Sequence, residues 1–218
     1  MTFQGAIFDL DGLLVDSEPV QAIAFNAVLE RYGIELTDTD FTEMVGIETI
    51  ENFRMLRDRH SLPESAEQLL KRKDTVYQRL VPVSLVERPG AIALVTALHE
   101  QGVPLAVASS SPQADVVLCL ECVDIIHLFS HVVTADDVEQ RKPAPDLYLL
   151  AAGKLGLAPE RCIAFEDTLT GLQAAQAAGV PCIVAPNKYT AHHDFVGALA
   201  RVKSLADLTP AAIRQMLT

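Results

Sequence analysis

The most constraining stretch of the chain is Gly5-Ala6-Ile7-Phe8-Asp9-Leu10-Asp11-Gly12, where an apolar run stops at two carboxylates one residue apart and a glycine follows at once. A short apolar run bounded by a turn signal predicts a strand buried on both faces, as in parallel sheets. Ligands bind at the carboxyl ends of such strands, so Asp9 and Asp11 are expected at the mouth of a site. With extended backbone, both side chains would point to the same side. Two like charges that close need a positive partner. Asp and Gly also make ordinary solvated turns, so the stretch gains weight only if other strand ends carry matching groups.

At 218 residues, half of them hydrophobic, the chain suits one large domain or a core with a small appendage. Pro19 fits a first helical turn, and Val20, Ile23, Ala24, Ala27 and Val28 follow at helical spacing up to Gly33. Further helical patterns use Ile47, Ile50, Phe53 and Leu56, then Ala66, Leu69, Leu70, Tyr77 and Leu80. No strand pattern appears before Val103, too long a gap for a single crossover. A helical domain inserted after the first strand is therefore expected at 17–86, as a lid over the sheet end, with the core formed by 1–16 and 87–218.

From Pro89 onward helix and strand alternate. Ile92 to Leu98 is amphipathic and stops at Gly102. Val103 to Ala108 is an apolar strand ending in Ser109-Ser110-Ser111-Pro112. Further strands are expected at His131–Thr134, Cys162–Phe165 and Pro181–Ala185, with helices from near Pro145 to Gly156 and from Leu172 to Ala178. This alternation predicts an α/β fold with a doubly wound, Rossmann-like parallel sheet.

Three further groups then fall on the same edge as Asp9 and Asp11. Ser109 precedes a helix, with Ser111 and Pro112 placed as its N-cap and first residue, and a hydroxyl beside free amides suits a phosphate; simple capping is the plainer reading. Lys142, in Arg141-Lys142-Pro143-Ala144-Pro145-Asp146, is presented on a stiff turn, where its ammonium can balance a buried anion rather than simply be solvated. Glu166-Asp167 adds a second acid pair, with Gly171 allowing close packing behind it. Each close pair of acids repels by about 4 kcal/mol at an effective dielectric near 20. Hard oxygen ligands clustered in this way suit Mg²⁺.

Taken in order, Asp9-Leu10-Asp11-Gly12, Ser109, Lys142-Pro143-Ala144-Pro145-Asp146 and Glu166-Asp167 resemble the four motifs of the haloacid dehalogenase superfamily, in its phosphatase and beta-phosphoglucomutase-like branch with a helical cap. The resemblance implies a Mg²⁺-dependent phosphatase acting on a small phosphorylated metabolite, such as a sugar phosphate. Asp9 would be the nucleophile and Asp11 the acid and then base. Mg²⁺ would be held by Asp9, the Asp11 carbonyl and Asp167, with Glu166 ligating directly or through water. Leu10, Ser109, Ser110 and Lys142 would hold the phosphoryl group, and Glu18 and Gln21, near the hinge, are candidates to face the substrate. A second acid at Asp11 argues against a dehalogenase, which has no alkoxide to protonate. A sugar phosphate isomerase of the beta-phosphoglucomutase kind is the alternative, but Gln21 stands where that family has a hinge histidine, and Thr49 where it has a cap arginine. A non-enzymatic phosphometabolite-binding protein is a third reading.

The formal net charge of −12 argues against nucleic acid or an anionic membrane as partner. The apolar runs are shorter than a bilayer span, and Asp9 and Asp11 fall where a secretory segment would be apolar, so a cytoplasmic protein is expected, monomeric or a weak homodimer. Cys119-x-x-Cys122 with His127 and His131 has superficial zinc spacing, but the interval between the pairs is too short for a finger. Buried thiols in a reducing compartment are the better account.

Overall fold

Six strands, β1 (Gly5–Phe8), β2 (Leu105–Ala108), β3 (His131–Val133), β4 (Cys162–Glu166), β5 (Cys182–Val184) and β6 (Ala200–Arg201), pair in the order β3-β2-β1-β4-β5-β6. Every pairing is parallel. These coordinates come from a computed structural model that describes residues 3–217. All residues of β1, β2, β4 and β5 are buried, as their unbroken apolar runs require. The chain leaves β1 for β2 on one side and later returns to β4 on the other, which makes the carboxyl end of β1 a topological switch point.

Register sets what meets there. Phe8 is level with Val107 of β2 and Phe165 of β4, so the next residues, Asp9, Ala108 and Glu166, come level as well. The sheet continues one residue beyond β1 on this side, where the Asp9 N–H donates to the Phe165 carbonyl (3.0 Å).

Helices α5 (Ala91–Glu100), α6 (Gln113–Cys122), α7 (Asp146–Lys154), α8 (Leu169–Ala177) and α9 (Pro210–Met216) complete this unit, four earlier helices lying in the segment inserted between β1 and β2. On one side of the sheet Ile7, Ala106 and Ala164 belong to a cluster with Leu147 and Tyr148 of α7 and Leu172 and Ala175 of α8. The small side chains in the strands let these helices approach closely. Elsewhere Phe8 stacks on Phe165 at 4.5 Å between centroids and meets Phe129 edge-on at 6.1 Å. Strand β6 and helix α9 had no expected counterpart: β6 is two residues long and too short to show a period.

Residues Ser17–Leu85 form a second compact unit. It contains α1 (Glu18–Leu29), α2 (Asp38–Met44), α3 (Thr49–His60) and α4 (Ala66–Ser84). Pro19 opens α1 as expected, and Gly33 has the left-handed φ of 68° that ends the following 3-10 turn. Helix α2 was not expected from periodicity. Its signal is polar: Thr37 and Asp40 form a reciprocal capping box. Ile47 was assigned to the apolar pattern of α3, yet it precedes that helix and is exposed. Phe25 stacks on Phe53 (4.7 Å) and meets Phe41 edge-on (6.0 Å) to make the unit's aromatic centre. The Lys73 ammonium lies over the Tyr77 ring at 4.7 Å, buried in a helix whose neighbouring basic residues, Lys71 and Arg72, are exposed.

The chain crosses between the units at two adjacent segments of the sheet unit. Val15 pairs antiparallel with Glu87, Asp16 N–H donates to the Val86 carbonyl (2.9 Å) and Arg88 N–H to the Leu14 carbonyl (2.9 Å). Among the described residues no helix is long and apolar enough to cross a membrane. None of the four cysteines is in a disulfide; Cys119 is buried on α6 while Cys122 is exposed.

Replacing the fully buried Phe8 removes both aromatic contacts and leaves a cavity at the centre of the sheet. Phe8→Ala is expected to destabilise the protein by about 3–5 kcal/mol, measured by urea unfolding.

Candidate active site

The site starts where β1 ends. Beyond Asp11 the chain turns: Gly12 adopts φ 80°, and the Leu10 carbonyl accepts from the amides of Leu13 (3.3 Å), Leu14 (2.9 Å) and Val15 (3.1 Å). The tight turn thus begins at Gly12, immediately after Asp11. Leu10 is fully buried.

Asp9 and Asp11 take different partners. The Lys142 ammonium donates to Asp9 Oδ1 (2.5 Å), to Glu166 Oε1 (2.6 Å) and to the Ala108 carbonyl (2.8 Å). Three acceptors occupy the three protons of one ammonium. Its side chain is only 6 % exposed. Asp11 instead accepts from the Ser111 hydroxyl (2.7 Å). The sequence suggested Ser111 as a helix cap, but Pro112 stands at the N-cap position and no side-chain cap is made. Ser111 is thus a site residue that its surroundings in sequence disguise as a turn residue. Ser109 is buried, its amide tied to the Val133 carbonyl (3.0 Å) and its hydroxyl accepting from Ser111 N–H (3.0 Å), while Ser110 is half-buried beside it.

Glu166 is held on both oxygens. Oε1 accepts from Lys142 and from the Tyr148 hydroxyl (2.7 Å); Oε2 accepts from Asp167 N–H (3.2 Å), Thr168 N–H (3.4 Å) and the Thr168 hydroxyl (3.2 Å). Tyr148, in the first turn of α7, carries no signal of its own because in sequence it is simply an aromatic on a helix's apolar face. Asp167 is fully buried and its Oδ2 accepts from the Asn187 amide (2.9 Å). Glu18 and Gln21 stand in the first turn of α1, within the helical unit, both half-buried.

Electrostatics follow from this crowding. Burial raises the Asp9 carboxyl well above the usual carboxylate range, opposed by the Lys142 ammonium and reinforced by Glu166 and Asp11. Burial also works against charge on Lys142, but Asp9 and Glu166 outweigh it and hold the ammonium above its ordinary pKa. Tyr148 is raised by burial and then by Glu166, so it stays a donor. Asp9, Glu166 and Asp167 each offer a carboxylate oxygen within 4.8 Å of the others, all buried. Three such acids against one ammonium leave an excess of negative charge that a divalent cation with oxygen preference would neutralise, so the donor set fits a metal.

Fold and site together define a doubly wound α/β enzyme with a buried acidic centre at its switch point. The model described as Haloacid dehalogenase-like hydrolase matches residues 6–185. The chain is 32% identical over 177 residues to the phosphorylated carbohydrates phosphatase of Thermotoga maritima, covering 81% of this chain and 82% of that one. It is 33% identical over 183 residues to the fructose-1-phosphate phosphatase YqaB of Escherichia coli, covering 83% and 95%. Among solved structures, a variant of CbbY from Rhodobacter sphaeroides in complex with xylulose-(1,5)bisphosphate superposes with a TM-score of 0.86 at 29% identity, covering 95% and 96%. The chain belongs to the haloacid dehalogenase-like hydrolases, in their branch of phosphatases and beta-phosphoglucomutase-like proteins.

Gly171 shows how tightly the acid pair is packed: a Cβ there would lie 1.9 Å from the Glu166 carboxyl carbon. Gly171→Ala is expected to cost about 1–3 kcal/mol in urea unfolding. Gly153→Ala, in α7 with nothing within 4 Å of the new Cβ, should leave stability unchanged or raise it by up to about 1 kcal/mol.

Proposed function

We propose that this protein is a Mg²⁺-dependent phosphatase that hydrolyses a small phosphorylated metabolite, a sugar phosphate by preference, through an aspartyl-phosphate. The observation that carries the reading is the single buried ammonium of Lys142 shared between Asp9 and Glu166, with Asp167 alongside. A carboxylate is a weak nucleophile toward a phosphate dianion, and attack needs charge neutralised beforehand. Lys142 supplies one fixed positive charge at Asp9. Asp9, Asp167 and the Asp11 carbonyl would hold Mg²⁺, which when bound supplies the remaining neutralisation of phosphoryl oxygens. We assign Glu166 to holding Lys142 rather than to direct ligation, because its two oxygens already accept from five donors.

In the first step Asp9 attacks phosphorus while Asp11 gives its proton to the departing alkoxide. In the second, Asp11 takes a proton from water, which hydrolyses the aspartyl-phosphate. Ser111, hydrogen-bonded to Asp11, keeps that carboxyl beside the Ser109 loop. The Ser109 hydroxyl, the Ser110 and Leu10 backbone and Lys142 are the groups we assign to the phosphoryl oxygens. Glu18 and Gln21 remain our candidates for contact with the rest of the substrate. The names of the relatives, phosphatases of phosphorylated carbohydrates and of fructose 1-phosphate, support a sugar phosphate. Gln21 and Thr49, where an isomerase would need a histidine and an arginine, favour hydrolysis over transfer within the substrate. With its net charge of −12 and four cysteines outside any disulfide, the protein is best placed in the cytoplasm, as a monomer or weak homodimer without nucleic acid or membrane partners.

A panel of sugar phosphates assayed for free phosphate with and without Mg²⁺ tests the reading. Activity is expected only with the metal, and Asp9→Asn should abolish turnover of p-nitrophenyl phosphate while circular dichroism stays unchanged. Wild-type rates in that variant would remove Asp9 as nucleophile. Asp167→Ala should raise the Mg²⁺ concentration for half-maximal activity by at least about tenfold, and an unaltered metal titration would remove it as a ligand.

A further inference from the structure

Asn187 lies beyond β5, in Pro186-Asn187-Lys188-Tyr189-Thr190, a segment that carried no sequence signal beyond turn composition. It is 4 % exposed, unusually buried for a loop asparagine. Its side-chain oxygen accepts from Tyr189 N–H (2.8 Å) and from the Thr190 hydroxyl (3.4 Å), so the amide nitrogen must face the other way, toward Asp167 Oδ2 at 2.9 Å. The donor direction is thus fixed by the turn and is not an arbitrary choice between oxygen and nitrogen. The turn is itself held: Asn187 N–H donates to the Thr190 hydroxyl (3.0 Å), the Asn187 carbonyl accepts from Ala191 N–H (2.9 Å), and Arg201 of β6 donates to the Ala191 carbonyl (2.7 Å). Buried Thr190 closes it.

We infer that Asn187 is a positioning residue for the metal: its amide fixes the Asp167 carboxylate so that the other oxygen is presented toward Asp9. This deepens the proposed function and rests on Asp167 being a ligand. A neutral donor suits the position. It orients the carboxylate through one oxygen without adding the positive charge that would compete with a cation. Ligand-orienting groups of this kind are worth about 10–100-fold in metal affinity. The constraint comes from the neighbouring strand, since the loop follows β5, which pairs with β4, the strand that ends just before Asp167.

The test is direct Mn²⁺ binding by calorimetry, with Mg²⁺ activation of p-nitrophenyl phosphate hydrolysis alongside. Asn187→Ser retains an acceptor for Tyr189 N–H, so the turn survives, but its side chain is too short to reach Asp167. Asn187→Ser and Asn187→Ala should each weaken Mn²⁺ binding by about 10–100-fold. They should raise the Mg²⁺ requirement equally while KM for p-nitrophenyl phosphate at saturating metal stays within about twofold. Thr190→Val, which disturbs the same turn and leaves the amide in place, should leave Mn²⁺ affinity within about twofold. If Asn187→Ser binds Mn²⁺ as the wild type does, or if Thr190→Val loses as much affinity as Asn187→Ser, the amide has no positioning role and the turn is only structural. Asp167→Ala separates the two readings. If that variant keeps wild-type Mn²⁺ affinity, the assignment of Asp167 as ligand has failed, whatever Asn187 does.

Discussion

One ammonium group, that of Lys142, makes the rest of the site tenable. It lies almost wholly out of water between two carboxylates and a carbonyl, and each of those groups would be costly to bury alone. Removing either acid would leave a charge with less compensation; removing the lysine would leave Asp9 and Glu166 facing each other. The arrangement demands that β1, β2 and β4 end level with one another, because the three acceptors come from the ends of those strands. The parallel sheet is therefore the device that brings the charges to one point.

The two ends of Glu166 show how the core supports this chemistry. Tyr148 donates from within the cluster that packs α7 on the sheet, and the amides of Asp167 and Thr168 donate from the opening of α8. A group anchored by a helix body and a helix start has little freedom to swing. Gly171 then has to be glycine, because the space a Cβ would take is already filled by the carboxylate. The same principle extends outward through Asn187 to Asp167, where a buried turn does for one oxygen what two helices do for Glu166. Rigidity of this sort holds the cluster of acids in one arrangement.

Much of the fold was legible because parallel strands buried on both faces are written as continuous apolar runs. Asp9, Ser109 and Glu166 each follow or end such a run, so their common edge could be read directly. Elements whose signal is polar or too short were missed: α2, declared only by its capping box, and β6, two residues long. Ile47 was misplaced because its apolar character fitted a helical period that starts only at Thr49. Ser111, Tyr148 and Asn187 were missed for a different reason. Each looks like an ordinary cap, core or turn residue among its sequence neighbours, and its partner lies far away in the chain, a hundred residues for Ser111 and Asp11.

The sequence by itself determined the architecture and the set of acids with their one lysine, since burial pattern and charge are properties of short segments. Tertiary structure decided how that set is divided. It alone shows that Asp9 is bonded to Lys142 and Asp11 to Ser111, and that Glu166 accepts on both oxygens while Asp167 accepts from the Asn187 amide. Those choices depend on angles and distances of a few ångströms between strand ends. Hydrogen bonds discriminate at that scale, and composition and periodicity do not.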